Sequence, residues 1–264
     1  DYIRQVMPLT NDLDLLSDKL FGLTTYGGYE YCGAVIKKAV DRLEWGKGDA
    51  DMKLIYIAGN EPFNQGEITY QSAIQDALKK NIYVNTIHCG DARWGIDGWK
   101  EGAAMGKGKF FNIDHNAQVR HIDTPYDDRI SSCNVELNKT YISYGRMGSS
   151  KKESQMKQDY NAQSVSSANY TERVVSKTKK VYNNSSWDLV DKVKEDKSVL
   201  ESIKQEELPD ELKGKTKNEI KEYIAQKENE RNTLQKEIEE LAKKRQTYID
   251  EQMKKEGEGG DDLG

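Results

Sequence analysis

Short apolar runs alternate with helical stripes through the first 124 residues. Lys53-Leu-Ile-Tyr-Ile-Ala58 is almost continuously apolar and ends in Gly59, and Ile82-Tyr-Val-Asn-Thr-Ile87 is a second such run, closed by Cys89-Gly90. Both read as strands covered on both faces. Phe110-Phe-Asn-Ile113 is a weaker third. Glu30 to Leu43 puts Tyr31, Ala34, Val35, Ile36, Ala39 and Leu43 on one helical stripe, and Glu67 to Leu78 does the same with Ile68, Ile74, Ala77 and Leu78. This alternation predicts an α/β fold, a parallel sheet joined by crossover helices.

Beyond Pro125 the pattern turns helical and polar, rich in Lys, Ser and Asn and thin in large apolar side chains. Residues 145–170 read as a mobile connection or a weak helix. Pro209 marks a boundary, and Thr216-Lys-Asn-Glu219 has the pattern of a capping box that starts a long charged helix. Along it a four-three spacing joins Ile220, Ile224, Lys227, Arg231, Leu234, Ile238, Leu241, Arg245 and Tyr248. Such a stripe either folds back on its own domain or self-associates as a coiled coil through 216–248. The organisation expected is an α/β domain over 1–124, a helical extension over 125–209, the long helix over 210–256 and a Gly-rich, disordered tail over 257–264.

Charge narrows the function. Lys+Arg 40 against Asp+Glu 45 gives a net charge of -5, so no global positive field draws the chain to nucleic acid or an anionic membrane. No run approaches the ~18–20 apolar residues of a spanning helix. Cys32, Cys89 and Cys133 are too few and too scattered for a disulfide framework. The chain opens on Asp1, and Tyr2 to Met7 reads as a strand already in progress, so a fragment or a processed chain is expected.

Catalytic motifs are missing. Gly102-Ala-Ala-Met-Gly106-Lys-Gly108-Lys109 has three residues between its first glycines and no hydroxyl after the lysine, and it precedes a strand where a phosphate loop would follow one. His88, His115 and His121 form no metal-ligand spacing with the cysteines, and there is no G-x-S-x-G elbow. A non-enzyme is expected. Ligands of an open parallel sheet meet the loops beyond the carboxyl ends of its strands. Those loops carry Asn60, Glu61 and Gln65, with Thr24, Thr25 and Glu30 in a third loop before a helix. These are hard oxygen donors suited to Mg²⁺ or Ca²⁺. Equally, Thr24 and Thr25 would cap that helix, with Gly27-Gly28 as the turn leading into it.

Leu23-Thr-Thr-Tyr-Gly-Gly-Tyr-Glu30, then Lys53-Leu-Ile-Tyr-Ile-Ala-Gly-Asn-Glu-Pro-Phe63, then Val84-Asn-Thr-Ile-His-Cys-Gly90, resemble the bacterial von Willebrand factor type A domain, as do Asp97-Gly-Trp99, Thr124-Pro-Tyr-Asp127 and Trp187-Asp-Leu-Val-Asp191. The resemblance implies a doubly wound sheet and non-catalytic binding of another protein at the bacterial envelope or outside the cell. In that family a divalent cation sits at an adhesion site, held by a D-x-S-x-S loop, a Thr and an Asp. Here D-x-S-x-S is absent, Tyr29 or Glu30 stands at the Thr position and Asn60 at the Asp. The resemblance therefore implies a domain truncated before its first strand, with Glu30 and Asn60 as a degenerate metal pair and Thr24, Thr25, Glu61 and Gln65 as the contact rim. A scaffold acting through the coiled coil is the alternative.

Overall fold

The computed structural model describes residues 3–24, 28–48, 50–114 and 122–256. In chain order a short helix α1 (Leu13–Phe21) and α2 (Cys32–Arg42) precede β1 (Lys53–Gly59), α3 (Tyr70–Lys79), β2 (Ile82–His88), α4 (Asp97–Met105) and β3 (Lys107–Asn112). Helices follow: α5 (Asp127–Lys139), α6 (Gly148–Val165), α7 (Ser167–Ser176), α8 (Leu189–Glu195), α9 (Val199–Ser202) and the long α10 (Lys217–Glu256). Two compact units result. One gathers described residues of Asp1–Leu9 and Thr24–Arg120, the other those of Thr10–Leu23 and His121–Glu256.

In the first unit the strands form a parallel sheet in the order β1-β2-β3. Lys53 stands opposite Ile82 and Gly59 opposite His88, so β1 and β2 end level. Ile36 and Val40 of α2, Ala73, Ile74 and Ala77 of α3, and Trp99 of α4 pack on Ile57, Ile82 and Val84 in one buried core. Thr86 Oγ1 donates to the Trp99 carbonyl at 2.7 Å, tying α4 to the sheet. Thr69 caps α3, its hydroxyl accepting from the Ser72 amide.

The winding departs from the doubly wound expectation. Two right-handed crossovers that step across a sheet in the same direction bring their helices to the same face. Side chains alternate along a strand, so Leu54, Tyr56 and Tyr83 point away from that core, with Tyr56 59% and Tyr83 38% exposed. The expectation that both faces of these runs are covered therefore fails on this side, where Tyr56 and Tyr83 carry hydroxyls that suit a half-wet surface.

The helical unit has a core of its own, which the thin apolar supply of residues 125–209 conceals. Ile130, Cys133, Leu137, Tyr141, Val174, Trp187 and Ile238 form one buried cluster. Ile142, Leu189, Leu200, Leu212, Ile220 and Ile224 form another. Residues 148–165, inside the stretch read as mobile or weakly helical, are the well-formed α6, whose buried positions include Gln155, Gln158 and Asp159.

The start of α10 follows its capping box. The Thr216 amide donates to Glu219 Oε2 at 2.7 Å and the Glu219 amide to Thr216 Oγ1 at 3.3 Å. Its four-three stripe is covered by the chain's own helices: Ile220, Ile224, Arg231, Ile238 and Arg245 are buried, and α10 packs on α5, α7, α8 and α9. The seam that a coiled coil through 216–248 needs is thus occupied within its own unit. The tail 257–264 lies outside the described residues. No described helix is long and apolar enough to cross a membrane.

Candidate functional site

The carboxyl ends of β1 and β2 are level, which brings their loops side by side. The Cys89 amide donates to the Gly59 carbonyl at 2.7 Å and closes the two strand ends together. After Gly59 the chain turns sharply and buries Phe63 against Trp99 and Tyr70, with ring centroids 4.6 and 5.0 Å apart. Trp99 Nε1 donates to the Glu61 carbonyl at 3.0 Å. An aromatic anchor and one indole hydrogen bond thus fix the loop that carries Asn60, Glu61 and Gln65.

Glu30 is the keystone of this loop. Its Oε2 accepts from the amides of Asn60 at 3.0 Å and Glu61 at 3.2 Å. Its own amide donates to Gln65 Oε1 at 2.6 Å. A carboxylate that receives two amides is held as strongly as a charge-assisted pair. Gly59 leaves room for it: a Cβ there would lie 1.9 Å from Glu30 Oε2.

The residues expected from sequence therefore divide. Glu30, Asn60, Glu61 and Gln65 meet in one hydrogen-bonded group. Thr24 is exposed and outside that group, and Thr25 lies outside the described residues. Tyr31, not a threonine, stands at the N-cap of α2 and makes no side-chain cap bond. Glu30 and Asn60 are joined through the Asn60 backbone, and among the described residues no three or more His, Cys, Asp or Glu side chains are grouped to hold a metal ion. His115 and His121 also lie outside the described residues.

Burial, reinforced by the Glu30 charge, pushes the Cys32 thiol up to about 12 and raises that of Cys89 as well. Neither cysteine is therefore poised as a thiolate nucleophile. In the neighbouring loop His88 Nδ1 lies 2.7 Å from Asn112 Oδ1, and Asn112 Nδ2 donates to the Gly90 carbonyl at 3.1 Å. Arg93 forks onto Asp91 and lowers its carboxyl to about 2. This brace presents Trp94, 74% exposed.

Sequence reasoning passed over the aromatic side chains here. Tyr29, 76% exposed, stacks on Tyr31 with ring centroids 6.2 Å apart. Both line a groove of about 690 Å³ with Ala34, Lys38, Gln65 and Ile68. The available signal was the Tyr-rich run 26–31 next to the oxygen donors, since tyrosine and tryptophan are enriched at protein interfaces. No protein-family model, no curated protein and no solved structure matches the chain.

Proposed function

We propose that the chain is a non-catalytic protein-binding module of von Willebrand A type, acting at the bacterial envelope or outside the cell. It grips its partner with the rim of Glu30, Asn60, Glu61 and Gln65 and the adjoining Tyr29–Tyr31 groove. The observation that carries this reading is the rigid carboxylate of Glu30, locked by two amides of the loop after β1. A rim preorganised in this way loses little conformational entropy on binding. Exposed Tyr29 and Trp94 offer the aromatic contact area that binding hot spots use. The raised thiols, with His88 Nδ1 engaged by Asn112 and no thiolate beside it, favour binding over turnover.

The rim works by direct contact. Glu30 already serves two amides, and a hard cation beside it would have little further negative charge to neutralise it. Selection of a displayed peptide library on the intact chain tests the reading. Binders are expected to lose at least about tenfold in affinity, or ~1.4 kcal/mol, on Tyr29→Ser or Glu61→Lys. They are expected to keep their affinity on Glu136→Ala in α5 and in EDTA. Binders indifferent to the first two changes would refute the rim, whereas loss in EDTA restored by Mg²⁺ or Ca²⁺ would put a cation at Glu30 and Asn60.

A further inference from the structure

Lys177, directly after α7, has no exposed surface. Its Nζ donates to Asn134 Oδ1 at 2.8 Å, Asn138 Oδ1 at 2.5 Å and Asp159 Oδ2 at 2.8 Å. The same Asp159 oxygen accepts from the Nδ2 groups of Asn134 at 3.0 Å and Asn138 at 2.9 Å. One carboxylate oxygen thus faces both an amine and the amide nitrogen that would leave if the amine attacked. Asn134, Asp159 and Lys177 come from α5, α6 and the end of α7, and all three are buried.

We propose that Lys177 and Asn134 join in an intramolecular isopeptide bond, with Asp159 relaying the protons. Lys177 starts as an ammonium and passes one proton to Asp159. The freed amine attacks Asn134 Cγ, forming the new C–N bond. Asp159 then protonates Nδ2, the old C–N bond breaks and ammonia departs. The second Nζ proton goes to Asp159, which ends as the neutral acid. Ammonium, carboxylate and primary amide have become secondary amide, carboxylic acid and ammonia. No oxidant or co-reactant is needed, and the buried charge is the same before and after.

The surroundings favour each part of this step. Burial is the main influence lowering the Lys177 ammonium to about 8, and Arg173 adds to it against the opposing pull of Asp159. A usable share of amine therefore exists near neutral pH. The side chains facing this centre are Asn134 and Asn138 of α5, Asp159 of α6 and Arg173 of α7. Behind Arg173 stand Asp14 of α1 and Tyr182, while Gln235 of α10 donates to the Lys177 carbonyl. Asn134, 2% exposed, is shielded from competing hydrolysis, and Asn138, half-buried, lies beside it toward solvent. Tyr170 accepts from Asn134 Nδ2 at 3.1 Å and orients the leaving nitrogen. Positioning two groups at contact in a dry site makes an otherwise slow aminolysis effectively unimolecular.

Intact mass of the denatured full chain tests the proposal. It is expected to fall short of the sequence mass by one ammonia, with no tryptic cleavage after Lys177 and with one branched peptide joining Lys177 to Asn134. A chain of full sequence mass, cleaved after Lys177, would overturn the proposal, and a branch on Asn138 would overturn the assignment to Asn134. Neither reading needs a variant to fold. Asn134→Asp, which can lose only water, is expected to reach the same product mass as the wild type. Asn134→Ala is expected to keep its full mass, and a deficit of one ammonia joined through Lys177 in that variant would again rule out Asn134.

Discussion

Arg231 shows how much one side chain of the long helix holds. Its guanidinium donates to Thr140 Oγ1 at 3.0 Å, to the Thr140 carbonyl at 2.7 Å, to Asp188 at 2.7 Å and to Asp191 at 2.8 Å, and it lies over the Tyr141 ring. Removing one partner from a buried ion pair strands the other charges, which typically costs about 3–5 kcal/mol. Arg231→Ala is therefore expected to lower unfolding stability by about that amount in urea. Arg231→Lys should recover little of it, because an ammonium cannot span the fork. A loss under about 1 kcal/mol for the alanine variant would show the pairs to be dispensable. In the sequence Arg231 is visible only as a cation interrupting an apolar stripe. Its partners Thr140, Asp188 and Asp191 are remote along the chain, so periodicity placed the residue without revealing its contacts. Thiol reactivity is a second residue-scale outcome. With Cys32 pushed up to about 12 and Cys133 buried, native alkylation at pH 8 is expected at half-buried Cys89 first, with Cys32 reacting only after denaturation. Fast labelling of Cys32 in the native chain would contradict its burial beside Glu30.

The elements differ in how plainly the sequence announces them. β1, β2, α2 and α3 follow from apolar periodicity, and α10 from its capping box, because each rests on local chemistry. Helix α6 does not: its buried face carries Gln155, Gln158 and Asp159, so no apolar stripe marks it. The same limit applies to the rim. Strand ends locate Asn60, Glu61 and Gln65, whereas the two backbone amides that Glu30 accepts from leave no mark in the residue pattern. Close packing between elements gives sharper tests. At Gly33 a Cβ would lie 2.0 Å from the Ile68 carbonyl, so α2 approaches the chain leading into α3 only through a hydrogen atom. Gly33→Ala is expected to cost about 1–3 kcal/mol in thermal unfolding through overpacking. Gly28→Ala, where a Cβ meets nothing within 4 Å, is the silent control. Equal effects would show that the contact is not limiting. Thr216→Ala removes one side of the α10 capping box and should cost about 1 kcal/mol.

At the scale of the whole molecule, the chain is two units with separate cores, and the helical one is discontinuous in sequence. Asp14 of α1 accepts from Arg173 and from Tyr182, at 2.8 Å for the latter, and so ties the first helix to α7 and the chain beyond it. Asp14→Asn is expected to raise amide exchange in α1, α6 and α7 by more than about tenfold while β1–β3 keep their protection. Acceleration across the strands as well would mean that the two cores open together.

That discontinuity also sets an order of events at the ribosome. Helix α1 emerges before the α/β segment, yet the groups that bind its Asp14 are Arg173 and Tyr182, far downstream. The α/β segment between them can complete its core as soon as it clears the exit tunnel, because its strands and crossovers are contiguous. Helix α1 must therefore remain without those partners through the translation of a whole inserted domain, a window in which a chaperone would find it unoccupied.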